Sequence, residues 1–204
     1  MKYYFGEDRT EIQVGIDEAG RGSLAGPVFA AAVIWNPDVQ DEFTEQIKDS
    51  KKLTKKKRNA LREYIEKNAT AFVVRSCDNT VIDEINILQA TYRAMHQCLK
   101  DINVEFDRII VDGDRFKPFM CHAHDCIPQG DNHYISIAAA SILAKTYHDE
   151  WIENKCKERE ELNDKYLWGK NMAYGTKVHR EGIITHGLCE YHRKSFCKKY
   201  VNNN

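Results

Sequence analysis

Four carboxylates carry the chemistry that this sequence offers. Asp17 and Glu18 are adjacent in VGIDEAGRGSLAGPV (residues 14–28), Asp112 closes RIIVD (108–112) and Asp131 lies in QGDNHY (129–134). Carboxylates gathered in one place raise one another's pKa unless cations neutralise them, and hard divalent ions with oxygen ligands are the natural partners. Two such ions about 3.5–4 Å apart can activate a water on one side of a phosphodiester and stabilise the leaving oxygen on the other. The set therefore asks for Mg²⁺ or Mn²⁺ and for hydrolysis. Taken singly, each acid reads equally well as a helix cap or a solvated strand end. Asp17 and Glu18 resist that reading, because a glycine-rich turn follows them rather than a helix. That turn, GRGSLAG, adds the Arg21 guanidinium and backbone N–H groups that can approach a sugar or phosphate closely.

The elements that must position these acids are legible as periodicities. Ile12, Val14 and Ile16 alternate with Gln13, Gly15 and Asp17, which predicts a strand delivering the acid pair at its C-terminal end. PVFAAAVIW (27–35) and AFVVRSC (71–77) predict two more strands, with a basic helix over 54–67 between them, so the chain opens as an antiparallel meander. Ile85, Leu88, Tyr92, Met95, Leu99 and Ile102 keep the spacing of a buried helical stripe running to about Lys100, and Thr80 with Asp83 resembles a capping box at its start. RIIVDG is a short apolar run suited to a buried parallel strand, which places Asp112 where Asp17 lies, at a strand's C-terminal end. A further strand is expected over 120–127. A long helix follows Asp131, with Ala138, Ala139, Ala140 and Ser141 small enough for close packing on a sheet. Beyond about residue 163 come helices over 176–186 and 188–200, with no strand signal and no sign of a second core. Acids at strand ends on one edge of an α/β sheet lie where such sheets place ligands.

The 204 residues suit one domain, and 42% hydrophobic content is enough for a core. The longest apolar runs fall short of the roughly 20 residues of a membrane span and the N-terminus has no signal-like apolar segment, so a cytoplasmic protein with no membrane partner is expected. Seven scattered cysteines without a CxxC pair suit reduced thiols. The net charge of −1 does not by itself announce a polyanion partner. CHAHDC (121–126) offers zinc-type ligands, but strand alternation puts Cys121 on the face opposite His122, His124 and Cys126, so one tetrahedron does not close. No cysteine lies in a motif that would lower its pKa for nucleophilic work, and no GxGxxG opens a helix as a dinucleotide site would.

DEAGRG (17–22) resembles the signature of the bacterial ribonuclease HII family. The likeness continues in order through DSKKLT (49–54), VDG (111–113), ISIAAASILAK (135–145), YGTKVH (174–179) and HGLCEYHRKSF (186–196). The resemblance implies a ribonuclease H-like α/β fold: a mixed five-stranded sheet flanked by helices in residues 1–162, with residues 163–204 as a small helical extension on the same domain. It implies an endonuclease that hydrolyses the RNA strand of RNA/DNA hybrids by two-metal-ion catalysis. Such an enzyme also nicks 5′ to single ribonucleotides in duplex DNA, leaving 3′-hydroxyl and 5′-phosphate ends. Its partners would be those nucleic acids and two Mg²⁺ or Mn²⁺ ions, with the protein a monomer.

Residue by residue, Asp17, Glu18, Asp112 and Asp131 match the metal-binding acids. Gly20, Arg21 and Gly22 match the element that contacts the 2′-hydroxyl, and Tyr174 the tyrosine that stacks on the following sugar. Ser50, Lys51 and Lys52 match a phosphate-contacting element that Lys55, Lys56, Lys57 and Arg58 extend. Lys145 and Ser141 belong to the helical motif near the acids, and Thr176, Lys177 and His179 to the junction-binding region. The sequence departs from the usual pattern at Ser23 (commonly Pro), at Gln129 before Gly130-Asp131 (commonly Lys), at His148 (commonly Arg) and at Ala173 (commonly Gly). Arg21 and the short lead before the first strand favour this family over the sister ribonuclease HIII type. A binding module without catalysis would require a missing acid, and all four are present.

Overall fold

In the computed structural model, which describes residues 1–48, 50 and 53–201, five strands form one mixed sheet in the order β3-β2-β1-β4-β5. β1 (Gln13–Ala19), β2 (Val28–Ile34) and β3 (Ala71–Cys77) are antiparallel neighbours, as the meander required. β4 (Arg108–Asp112) and β5 (Ala123–Ile127) run parallel to β1. β2 is buried at every position, the burial expected of a central strand covered on both faces.

One face of the sheet packs Val14, Ile16, Ile109 and Val111 against Met95 and Leu99 of α2 (Asn79–Asp101). The other packs Ala31 and Val33 against α1 (Lys55–Asn68) and the small-residue face of α3 (Ile135–Glu158). Gly15 shows how close that second contact is. A Cβ there would stand 2.4 Å from the backbone carbon of Ser136 and 2.5 Å from the nitrogen of Ile137, so only glycine lets the first turn of α3 lie on β1.

Two expectations at helix ends need correction. The N-cap of α2 is Asp78, whose carboxylate accepts from the Val81 N–H, and the Thr80/Asp83 box does not form. Asp83 instead accepts from the backbone N–H groups of Lys194 and Ser195 and from the Ser195 hydroxyl, tying α2 to α7 (Lys194–Val201). The helix expected over 188–200 is therefore shorter, because 188–193 is spent on tertiary contacts described below. α2 is also broken at Asn86 (φ 66°, ψ 166°), whose side chain accepts from the N–H groups of Leu88 and Gln89 and so caps the second piece.

The C-terminal segment does build an apolar cluster of its own, contrary to expectation. Leu162 and Tyr166 of α4 (Glu161–Tyr166), Trp168 of α5 (Trp168–Asn171), Ile183 of α6 (Lys177–His186) and Cys197 of α7 bury against Ile152 of α3 and Leu24 and Ala25 of the glycine-rich loop. Each short element gives one or two residues, so no apolar run marks the cluster in sequence. No described helix is long and apolar enough to cross a membrane. All seven cysteines are free thiols.

Candidate active site at the strand ends

The parallel register pairs Ile16 with Val111, so Asp17 and Asp112 stand side by side one residue further on. Asp112 is opposite Ile127 at the end of β5, and the chain then turns through a 3-10 segment, Gly130–Asn132, into α3. A side chain built on Gly130 would lie 3.6 Å from Asp112 Oδ1, which places the Asp131 turn beside the β4 acid. The four acids thus share one edge of the sheet, as their strand-end positions implied.

Asp17 faces α3 and is only 6% exposed. Burial pushes its carboxyl well above the usual carboxylate range, and the charges of Glu18 and Asp112 push the same way. The Ser141 hydroxyl and the Glu18 N–H, 2.7 Å from Asp17 Oδ1, oppose the shift. Glu18 alternates to the other face, into a cleft of about 360 Å³ that it shares with Arg21, Asp112 and Arg115 and with Tyr92 of α2. There it pairs with Arg21 at 3.1 Å. Asp131 is buried and accepts from the Asn132 amide at 3.0 Å.

No group of three or more His, Cys, Asp or Glu among the described residues is gathered closely enough to hold a metal ion. The donor set fits a hard divalent cation: it is all oxygen, and Asp17 is destabilised by its burial and then by the very charges that a cation would neutralise.

The glycine-rich loop after β1 is a tongue held on both edges by C-terminal backbone. Ser23 and Ala25 form β-bridges with Tyr174 and His192. Leu24 N–H donates to Ala173 O, Gly26 N–H to Tyr191 O, and Arg193 N–H to Leu24 O. Arg193, fully buried, spends its guanidinium on the carbonyls of Gly26 (2.9 Å), Arg21 (2.9 Å) and Gly20 (2.8 Å). Burial pulls its pKa down to about 10, so it stays charged at neutral pH. Gly20 takes φ +86°, and a Cβ there would collide with His148 at 2.4 Å; both facts demand glycine. Arg21 and Gly22 are left exposed on the tongue, next to the Tyr174 ring.

Tyr174 is half-buried, with Lys145 Nζ 5.2 Å from its ring centre. Its carbonyl is held by a chain whose tautomers follow from the donors. Cys189 N–H donates to His192 Nδ1, so His192 carries its proton on Nε2 and donates to His179 Nε2. His179 Nε2 also accepts from the Trp168 indole, so the His179 proton is on Nδ1 and goes to Tyr174 O at 3.1 Å. Burial lowers both histidine pKa values, His192 to about 3 with the charge of His179 adding to the effect, and both are neutral at pH 7.

The remaining expected residues divide. Lys145 is 2.7 Å from Asp149, which also accepts from Arg58 at 3.4 Å and from His148 at 3.0 Å. Ser50 is buried with its hydroxyl 3.0 Å from Ser141, so it supports the residue behind Asp17 instead of facing a phosphate as expected. Thr176 caps α6 through the His179 N–H, and its hydroxyl is thereby engaged, whereas Lys177 is exposed beside Glu181. Lys51 and Lys52 lie outside the described residues. His122 of the CHAHDC segment packs its ring on Phe106, with centroids 4.5 Å apart. Arg193 and the link between Ser23 and His148 escaped the sequence because a buried polar residue whose partner lies more than a hundred positions away leaves no local signal.

The family model described as Ribonuclease HII matches residues 14–199. A Ribonuclease HII from Christiangramia forsetii is 52% identical over 189 residues, covering 92% of this chain and 91% of the relative. Among solved structures, the ribonuclease H2 from Pyrococcus horikoshii OT3 superposes with a TM-score of 0.74 at 21% identity, covering 94% of this chain and 99% of its own. Bst-RNase HIII in complex with Mn²⁺ superposes with a TM-score of 0.72 at 20% identity, covering 93% of this chain and 68% of its own. The two structures speak for the fold, while the sequence match runs unbroken through the acids, the tongue and the Tyr174 segment. The chain belongs to the Ribonuclease HII family, endonucleases that degrade the RNA of RNA/DNA hybrids.

Proposed function

We propose that this endonuclease also nicks duplex DNA on the 5′ side of a single embedded ribonucleotide, leaving 3′-hydroxyl and 5′-phosphate ends. One observation carries this: the Arg21-Gly22 tip of the tongue lies against the Tyr174 ring, where a side chain at Gly22 would approach within 3.7 Å. The exposed glycine backbone can address a 2′-hydroxyl, the group that separates RNA from DNA. The ring beside it favours a following sugar that lacks one. Arg21, half-exposed with one donor on Glu18, keeps further donors for the flanking phosphate. Lys145, Lys177, Lys51 and Lys52 supply positive charge along the strand, while Ser50 and Thr176 act by holding Ser141 and α6 in place.

Asp17, Glu18, Asp112 and Asp131 would hold two divalent ions, Mg²⁺ or Mn²⁺, which when bound supply charge neutralisation at the scissile phosphate and a lowered water pKa. The Mn²⁺ complex of the Bst-RNase HIII neighbour supports a divalent requirement. The enzyme would act as a cytoplasmic monomer.

The test is to map the nick in a DNA duplex carrying one ribonucleotide, with Mg²⁺, with Mn²⁺ and with chelator. A metal-dependent cut 5′ to the ribose is the expected result. Cutting confined to long hybrids would overturn the tongue and Tyr174 assignments.

A further inference from the structure

Ser23, His148 and Asp149 form a hydrogen-bonded chain beneath the tongue. Ser23 Oγ is 3.2 Å from His148 Nε2, and His148 Nδ1 is 3.0 Å from Asp149 Oδ1. The order matches a hydrolytic triad, but Ser23 and His148 are 0% exposed and Asp149 6%, so no substrate reaches the hydroxyl and the chain is not a nucleophile relay. Its polarity is nonetheless fixed. Asp149 also takes the cations of Lys145 and Arg58, so its carboxylate only accepts. The imidazole proton is therefore on Nδ1, and Ser23 donates to the bare Nε2.

The imidazole meets both parts of the ribose-reading apparatus. Gly20 lies so close that a Cβ would stand 2.4 Å from His148 Cδ2, and the Tyr174 ring centre is 5.8 Å from that of His148. Ser23 in turn bridges Tyr174 through backbone, and Asp149 anchors the lysine that lies over the Tyr174 ring. One buried side chain thus sets the spacing between the tongue and the tyrosine without touching the acids of β1 and β4.

We propose that His148 is a positioning residue which, through Ser23 and its tilted contact with the Tyr174 ring, sets the preference for an isolated ribonucleotide over a continuous hybrid. This rests on the Tyr174 role proposed above.

The test compares kcat/KM on a duplex with one ribonucleotide and on a long RNA/DNA hybrid for the wild type, Ser23→Ala, His148→Asn and Tyr174→Ala, with folding checked by thermal unfolding. His148→Asn keeps a donor for Asp149 and loses the Nε2 end. It should lower the single-ribonucleotide to hybrid ratio about tenfold, the scale of a sub-ångström misplacement. Ser23→Ala, which removes one hydroxyl and remains decisive if His148→Asn does not fold, should lower it about threefold, with hybrid cleavage near wild type. If Tyr174→Ala lowers the ratio while both other variants keep it, or lose the two activities equally, the inference is wrong and the Tyr174 role stands. If Tyr174→Ala leaves the ratio unchanged, the Tyr174 role itself falls and takes the inference with it.

Discussion

Mild acid should loosen this protein through its buried histidines, above the range where an ordinary carboxylate titrates. His192 titrates near its ordinary value of 6.5 in the unfolded chain and at about 3 when buried. Between those values the unfolded state binds the extra proton, so stability is complete above pH 6.5 and falls as the pH drops toward 3. At about 1.4 kcal/mol per pH unit, His192 alone removes about 2 kcal/mol on going from pH 6.5 to pH 5. His179 and His148, lowered chiefly by burial, add losses of the same sign. Asp17 opposes them: its raised pKa makes the folded state bind the extra proton, so its contribution weakens the fold as the pH rises. The histidines give the slope its positive part, and Asp17 offsets some of it. Urea unfolding in chelator from pH 7 to pH 5 would read it directly. In His192→Gln the slope should shrink by about 1 kcal/mol per unit. A flat wild-type profile over that range, or an unchanged slope in the variant, would refute the picture of a neutral buried histidine pair.

Asp17→Asn should abolish cleavage and yet raise unfolding stability in chelator, because it removes a buried carboxyl crowded by Glu18 and Asp112; a lower melting temperature would contradict this. Gly15→Ala should cost about 1–3 kcal/mol by pushing α3 off β1, and a melting temperature within a degree of wild type would show that α3 can yield cheaply. Arg193→Met should cost about 3 kcal/mol or more by leaving the buried carbonyls of Gly20, Arg21 and Gly26 without their donor, and should depress cleavage of both substrate types. A variant as active as wild type would show that the tongue holds its shape without the clamp.

What could be read from sequence was what local pattern carries. The Val14, Ile16 alternation placed the acid pair, AFVVRSC coincides with β3, and Thr54 and Thr176 precede their helices as caps. Local pattern failed where a residue works at long range. Asp83 mimics a capping-box partner because its carboxylate does cap a helix, but one more than a hundred residues away. His192 and Arg193 fit a helical stripe, yet their backbone and side chains are committed to the tongue. Ser23 and His148 were visible only as two separate departures from the usual motif. Their separation of 125 residues hid the fact that the one hydrogen-bonds the other. The four acids were legible as occupants of one edge of the sheet, because each ends a strand or precedes a helix.

The tongue also has a consequence for synthesis. The guanidinium that fixes the Gly20 carbonyl belongs to a residue 173 positions later, so the tongue is made well before its clamp. A nascent chain can form the β1–β2 hairpin early, since those contacts are local, whereas the tongue lacks its clamp until Arg193 emerges and packs. A fragment ending before Arg193 would keep every acid and still lack an ordered tongue. The tongue thus joins the first strand to the last helix, and its clamp closes only after nearly the whole fold has been made.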